Sequence, residues 1–150
     1  MGANGGGNVF NLEDRGLCYR VRVLIKHPTD NLEVFSRETG LAPSICAQQG
    51  EQRVGRDGAP LSGVHPASIW QHSRLVAHSR HFSNGITSLI DALTPAAASI
   101  KALRAAGGSA VLILELDGNR NIGDEIQVNE LRRLAELGLD FGLELHPEGI

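Results

Sequence analysis

The hydrophobic pattern of the chain centres on residues 110–116, Ala-Val-Leu-Ile-Leu-Glu-Leu, its longest nearly unbroken apolar run. Glycines flank this run on both sides, at Gly107-Gly108 and at Gly118. A short run of branched side chains between turn-forming residues is typical of a strand that is buried on both faces. We therefore predict an interior strand here and interpret the other segments by asking how they cover it.

Residues 19–26 and 139–145 show the alternation of strands with one buried face and one wet face. In the first segment, apolar odd-numbered positions alternate with basic even-numbered positions, and Leu24 is the exception. In the second, leucine and phenylalanine alternate with polar residues or glycine. A period of two is expected of strands in an antiparallel sheet. Two further strands are predicted at residues 51–54 and 68–76.

Helical segments are predicted from their caps, their apolar spacing and their terminal glycines. In the clearest one, Ile86, Leu89, Ile90 and Leu93 follow the i, i+3, i+4, i+7 spacing of a single helix face. Thr94-Pro95 then restarts this helix, since proline favours the first helical position. The predicted N-caps are Asp30, Ser83 and Asn129, and the predicted helix ends are Gly40, Gly107 and Gly138.

The order of these elements predicts an α+β fold. We expect a ferredoxin-like, antiparallel-rich sheet with helices mainly on one face. Residues 17–150 are predicted to form a single α+β domain, preceded by a flexible leader at the glycine-rich residues 1–16. Residues 55–66 form a long segment dense in turn formers, which is either a functional loop or a disordered one.

Composition and charge exclude several classes of protein. Of 150 residues, 14 are basic and 17 are acidic, so the net charge of −3 lacks the basic footprint of a nucleic-acid-binding protein. No apolar run reaches the roughly 18–20 residues that cross a bilayer, and the N-terminus has no secretory signal pattern. Two cysteines are too few for a disulfide framework. We therefore expect a cytoplasmic protein that binds neither nucleic acid nor membranes.

Patterns that indicate catalysis or metal binding are weak in this sequence. His72, His78 and His81 are close together, but His78 and His81 fall in a predicted loop and no nearby Cys or Asp completes a site. Cys46 could act as a nucleophile with a histidine as base, but nothing in the neighbouring sequence indicates an activated thiol. A Gly-x-Ser-x-Gly elbow is missing. We predict no catalytic residue, no metal and no cofactor, and we favour a protein without enzymatic activity.

The polar face of the predicted sheet has two interpretations. Arg20, Arg22 and Lys26 of the first strand could form ion pairs with Asp140 and Glu144 of the last, which requires no ligand. The same face could instead bind a partner. Aromatic residues make up only 4% of the chain, which argues against base stacking on this face.

The candidate binding residues are Arg53, His65, Trp70, His72 and Arg74. Trp70 is the only tryptophan, and core packing is its favoured role, with an interface anchor as the alternative. Our first hypothesis is a non-enzymatic interaction module, similar to a toxin-neutralising immunity protein, that uses the open sheet face or residues 55–66. The alternative is a small-ligand-binding protein or enzyme with a pocket beneath residues 55–66. A homodimer formed by edge-strand pairing is the third hypothesis.

Several of these features, taken together, resemble a known family. They are the opening alternating strand, the Leu41-Ala42-Pro43 element, a tryptophan on a strand, the Leu93-Thr94-Pro95 helix junction and the Leu-Ala-Glu-Leu-Gly-Leu run at residues 134–139. The family is catalogued as domain of unknown function 4279, and the resemblance extends from residue 19 to about residue 147. It implies a bacterial cytoplasmic protein with no assigned activity, and it supplies no catalytic residue.

Overall fold

A computed structural model of the protein describes residues 16–150, so the predicted leader lies outside the described residues except for Gly16. The strands of this part of the chain are β1 Cys18–His27, β2 Ile45–Ala47, β3 Gln52–Val54, β4 Pro60–Val64, β5 Ser68–Ala77, β6 Ser109–Asp117 and β7 Asp140–His146. The helices are α1 Val34–Thr39, α2 Phe82–Leu93, α3 Ala97–Ala105 and α4 Val128–Leu137, and a 3₁₀ turn at Thr94–Ala96 joins α2 to α3.

The main sheet has five strands in the order β2-β5-β1-β6-β7. The pairings β2–β5, β5–β1 and β1–β6 are antiparallel, whereas β6 and β7 run parallel, so the protein is α+β with a mixed sheet. The predicted interior strand is confirmed, because β6 lies between β1 and β7 and both its faces carry buried side chains. The ferredoxin-like arrangement and the placement of the helices mainly on one face stay predictions.

The hydrophobic core lies against one face of the sheet. Val21 lies opposite Leu114 and Val23 opposite Leu112, so the odd positions of β1 and the even positions of β6 share this face. Their side chains form one buried cluster with apolar residues of the helices. Fully buried members contributed by the helices include Phe35, Ile86, Ile90, Leu93 and Ile100.

The predicted helix starts need correction. Helix α1 begins at Val34 without a side-chain cap, so Asp30 is not its N-cap. Ser83 lies inside α2, and its backbone N–H donates to Asp124 Oδ2 (2.9 Å). Helix α4 begins one residue before the predicted cap Asn129. Ser83 does not cap its helix because its hydroxyl donates to Asp124 in a loop 41 residues further along the chain, which competes with local capping.

The sequence has no continuous apolar run of membrane-spanning length, but one helical stretch in the described residues meets the length and composition of a span. Helices α2 and α3 join into the continuous helical stretch Phe82–Ala105, which has 24 residues and contains an 18-residue window with a mean hydropathy of 1.2. Its most apolar side chains, including Ile86, Ile90 and Leu93, are fully buried in the core cluster. This is the position of the core helix of a small domain.

Residues 55–66, the predicted long loop, belong mostly to a β-hairpin. β3 and β4 pair antiparallel and form a separate two-stranded sheet, joined at a turn where Gly58 has a positive φ of 78°. Two backbone hydrogen bonds close the base of the hairpin: Gly50 N–H donates to His65 O (2.9 Å), and His65 N–H donates to Glu51 O (2.8 Å). The segment is therefore an ordered arm whose strand residues are exposed.

Candidate functional site

A cleft of about 990 Å³ lies between the second face of the main sheet and the β3–β4 hairpin. It is lined by Arg20 and Arg22 from even positions of β1 and by Glu115 from an odd position of β6, which share one face because successive side chains alternate across a sheet. This volume is within the range of small-molecule sites, roughly 300–1,000 Å³. The charged and histidine residues that line the cleft are Arg20, Arg22, Arg53, Arg56, His65, Glu115, Glu144 and His146.

A network of ion pairs centred on Glu115 forms part of the cleft wall. The Glu115 side chain is only 4% exposed, and each of its oxygens accepts from a different arginine: Oε2 from Arg20 Nη1 (2.8 Å) and Oε1 from Arg22 Nε (2.7 Å). Arg22 Nη2 also donates to both carboxylate oxygens of Glu144 (2.9 Å each). Its Nη1 donates to Gln71 Oε1 (3.3 Å), so Arg22 is fixed from three sides.

The predicted ion pairs between the first and last strands form only in part. Arg22 does pair with Glu144, but the prediction assumed that their strands are neighbours, whereas β6 lies between them. Asp140 instead pairs with Arg104 of α3 (3.2 Å), and Lys26 is exposed. Glu115 was missed because a single carboxylate in an apolar run looks like an interruption of a buried strand.

Two further arginines in the cleft have no partner in the part of the chain that the structure describes. Arg53 extends from β3 and Arg56 from the hairpin turn, both are exposed, and neither side chain makes a hydrogen bond or ion pair with a residue between 16 and 150. Four guanidiniums against the two carboxylates of Glu115 and Glu144 leave an excess of two positive charges. The cleft is thus cationic although the whole chain carries a net charge of −3, which favours anionic ligands.

Glu115, Glu144 and His146 are the one group of potential metal ligands found among residues 16–150, with ligand atoms within 4.8 Å of one another. His146 Nε2 lies 3.4 Å from Glu115 Oε2, is buried and has no hydrogen-bond partner among these residues. The donor types suit a divalent cation. However, every carboxylate oxygen already accepts from an arginine, so a cation would have to displace Arg20 and Arg22.

Cys46 of β2 also lines the cleft, where it is exposed. Partial burial raises the pKa of its thiol, and the nearby carboxylates of Glu33 and Glu51 raise it further. A raised pKa keeps the thiol protonated, and the thiolate is the reactive species. The structure therefore gives no support to Cys46 as a nucleophile.

We expect iodoacetamide at neutral pH to alkylate Cys46 several-fold more slowly than a cysteine in an unstructured peptide. Mass spectrometry of tryptic peptides would follow Cys46 separately from Cys18. Replacing Glu33 and Glu51 by glutamine should accelerate the reaction, since both carboxylates disfavour the thiolate. A rate for wild-type Cys46 equal to or above that of the peptide would contradict this prediction.

The structure separates the candidate binding residues into two groups. Arg53 and His65 line the cleft. Trp70, His72 and Arg74 lie on the opposite face, because they pair with the core-facing Ile25, Val23 and Val21 of β1. Gln71 and Ser73 alternate with these three residues along β5, and their side chains line the cleft. The alternation along β5 shows that Trp70, His72 and Arg74 share one face of the strand. The sequence did not show which face of the sheet borders the cleft.

Trp70 has the core role that the sequence favoured. Its side chain has no exposed surface, its ring packs against that of Phe35 at 6.1 Å between centroids, and Nε1–H donates to Ser36 Oγ (2.8 Å). His72 lies nearer the edge of the same face and donates from Nδ1 to the carbonyl of Ala42 (2.7 Å). Both side chains are thus committed to contacts within the protein.

Comparisons with known proteins give one finding on family membership. No curated protein and no solved structure matches the chain significantly. A family model described as domain of unknown function (DUF4279) matches residues 18–148, which include all of the main sheet and the four helices. The chain therefore belongs to the DUF4279 family, as the resemblance in its sequence predicted.

Proposed function

We propose that this protein is a non-enzymatic binding module whose cleft holds a small ligand with at least two anionic groups, such as carboxylates or phosphates. The observation that carries the proposal is the pair Arg53 and Arg56, two exposed guanidiniums that face the same cleft and have no partner among the described residues. A guanidinium fork matches the geometry of a carboxylate or phosphate group and binds it with two hydrogen bonds.

The arginines on the sheet supply a second contact region for the ligand. Arg20 and Arg22 are two residues apart on β1, which places their backbones about 7 Å apart on one face. Arg20 donates to Glu115 through Nη1 alone, so its remaining N–H groups are available to a ligand. Because Glu115 and Glu144 hold Arg22 in place, the sheet side of the cleft is ordered before a ligand binds.

The chemistry of the cleft favours binding over catalysis. General-base catalysis needs a group that can accept a proton. Both carboxylates in the cleft already accept hydrogen bonds from arginines, which leaves the imidazoles of His65 and His146 as the groups that could take this role. Nucleophilic catalysis needs an activated side chain, and the pKa of Cys46 is raised. The arginines of the cleft can neutralise and orient an anion, which is what a binding site requires.

We expect pyrophosphate or citrate to raise the thermal midpoint of unfolding, whereas glycerol should not. At about 100 times its Kd a ligand adds about 2.7 kcal/mol to the free energy of unfolding, or roughly 5–10 °C for a chain of this size. The variant R53Q/R56Q should weaken binding at least about tenfold in calorimetric titration, because charged hydrogen bonds contribute about 1.5–3 kcal/mol each.

The matched control is R132Q, since Arg132 is exposed on α4, lies outside the cleft and has no side-chain partner among residues 16–150. This variant should bind the anion as the wild type does. Rising salt should weaken wild-type binding because these exposed charges are screened. The proposal is wrong if no anion shifts the midpoint, or if R132Q loses as much affinity as R53Q/R56Q.

A protein partner is the second candidate, in line with the immunity-like interaction module that the sequence suggested. The supporting observation is a set of exposed apolar side chains on the hairpin arm: Val54, Leu61 and Val64 are 60%, 43% and 52% exposed. A partner purified with the wild-type protein from bacterial cytoplasm should be lost with L61S/V64S and retained with R53Q/R56Q. This role is wrong if the wild type and both variants all fail to retain a partner, or if all three retain it equally.

A further inference from the structure

Strand β7 forms one edge of the main sheet and pairs only with β6 among the described residues. The opposite edge is protected by its shortness, since β2 has three residues, but β7 has seven and contains neither proline nor lysine. Long edge strands without such protection are templates for pairing with another strand. The unpaired backbone groups of β7 can therefore form hydrogen bonds with a further strand.

The apolar side of β7 is exposed as well. Phe141, Leu143 and Leu145 lie on the core-facing side of the sheet, since Phe141 pairs with Leu112 and Leu143 with Leu114. They are nevertheless 41%, 58% and 62% exposed, whereas their partners on β6 are buried. Three adjacent apolar side chains on one edge form a row that an added strand would cover.

The outward-facing backbone groups of β7 belong to the same three residues. The carbonyl of His146 accepts from Gly118 N–H (3.0 Å), so the backbone of His146 points toward β6. Because backbone direction alternates along a strand, the N–H and C=O groups of Leu145, Leu143 and Phe141 point away from β6. One added strand can thus satisfy these groups and cover the apolar row.

We propose that β7 pairs antiparallel with β7 of a second copy of this chain, with a two-fold axis at Leu143. In this register Leu143 faces its own copy and Phe141 faces Leu145 of the partner subunit, so the apolar rows meet. On the cleft side, Glu144 faces Gly142 of the partner subunit, which avoids contact between like charges. Asp140 faces His146 of the partner subunit, a carboxylate opposite an imidazole.

This self-complementarity selects a second copy over an unrelated strand. In the antiparallel pairing, β7 lies beside the same seven residues in reverse order, Asp-Phe-Gly-Leu-Glu-Leu-His. This places apolar residues opposite apolar residues, an acid opposite an imidazole and glutamate opposite glycine. A two-fold interface requires such complementarity of a patch with itself. The dimer would extend the sheet to ten strands, twice the five of one subunit.

The test combines solution mass with site-specific cross-linking of the full chain. Light scattering at micromolar concentration should give twice the mass of one chain for the wild type. L143K should raise the dissociation constant at least about tenfold, because it places two like charges on the axis. L75K is the matched control: Leu75 is 52% exposed on β5, an interior strand, and its replacement should leave the dimer intact.

The cysteine variants test the register. The Cα atoms of Leu143 and its copy would lie about 5.5 Å apart, within the range for a disulfide, so L143C should form a covalent dimer under mild oxidation. L145C should not, because Leu145 faces Phe141 of the partner subunit. A monomeric wild type, a dimer that resists L143K, or equal cross-linking of L143C and L145C would overturn the proposal.

Discussion

Replacing Trp70 by alanine should lower the free energy of unfolding by about 3–5 kcal/mol, the usual cost of removing a buried large aromatic side chain. Trp70 has no exposed surface, so the variant leaves a cavity against Phe35 and removes the hydrogen bond to Ser36. Total stabilities of small proteins are about 5–15 kcal/mol, so this is a large fraction. Urea unfolding followed by circular dichroism measures the loss.

The matched control is Leu75 on the same strand, which is 52% exposed. L75A should change stability by less than about 0.5–1 kcal/mol, as exposed positions usually do. The folded fraction of Trp70→Ala should still bind the anion with wild-type affinity, because Trp70 lies on the face opposite the cleft. A stable W70A variant with weakened anion binding would show instead that Trp70 acts in the site.

Replacing Arg22 by methionine should lower the free energy of unfolding by about 2–3 kcal/mol. Removing one partner of a buried ion pair typically costs about 3–5 kcal/mol, because the other charge stays buried. The expected loss is smaller here because Arg20 still donates to Glu115 and Arg22 itself is partly exposed. Urea unfolding again provides the measurement, with R132M as a control that should be within about 0.5 kcal/mol of wild type.

The triple variant R20M/R22M/E115L should be more stable than R22M alone. Replacing a buried ion network by apolar side chains is often neutral or stabilising, because no buried charge is left without a partner. Glu144 loses Arg22 in this variant, but its side chain is 46% exposed, so water can solvate its charge. The triple variant should lose anion binding, since it removes the sheet side of the cleft. That outcome would show that the network serves binding and not stability, whereas a triple variant less stable than R22M would reverse the conclusion.

Much of the fold could be predicted from local patterns. The interior strand at residues 110–116, the alternating first strand and the helix ends at Gly40 and Gly138 all appear in the structure. These features depend on the period of the apolar residues and on the left-handed conformation that glycine adopts. Both are local properties of the chain, so the sequence is sufficient to predict them. The N-cap predicted at Ser83 failed because this residue bonds to Asp124, 41 residues away in the chain.

The candidate site could be predicted only in part. The even positions of β1 were expected on a polar sheet face, and the segment at residues 55–66 was expected near the site. Arg53 and His65 do line the cleft, but Arg56, Glu115 and His146 were not among the candidate residues. Glu115 and His146 come from parallel strands separated by a helix, and no local spacing links them.

The sequence by itself determined the long strands and most of the helices, since that choice depends on the period of the apolar residues. It did not predict β2 or β4, and β4 lies in the predicted loop at residues 55–66. Tertiary structure alone decided which strands lie side by side, because the alternation within one strand does not specify its neighbours in the sheet. It placed β6 between β1 and β7, so that Glu115 pairs with Arg20 and Arg22 of β1 and Arg22 also reaches Glu144 of β7. It also left the apolar side of β7 exposed at the sheet edge, although its alternation matches that of a buried strand.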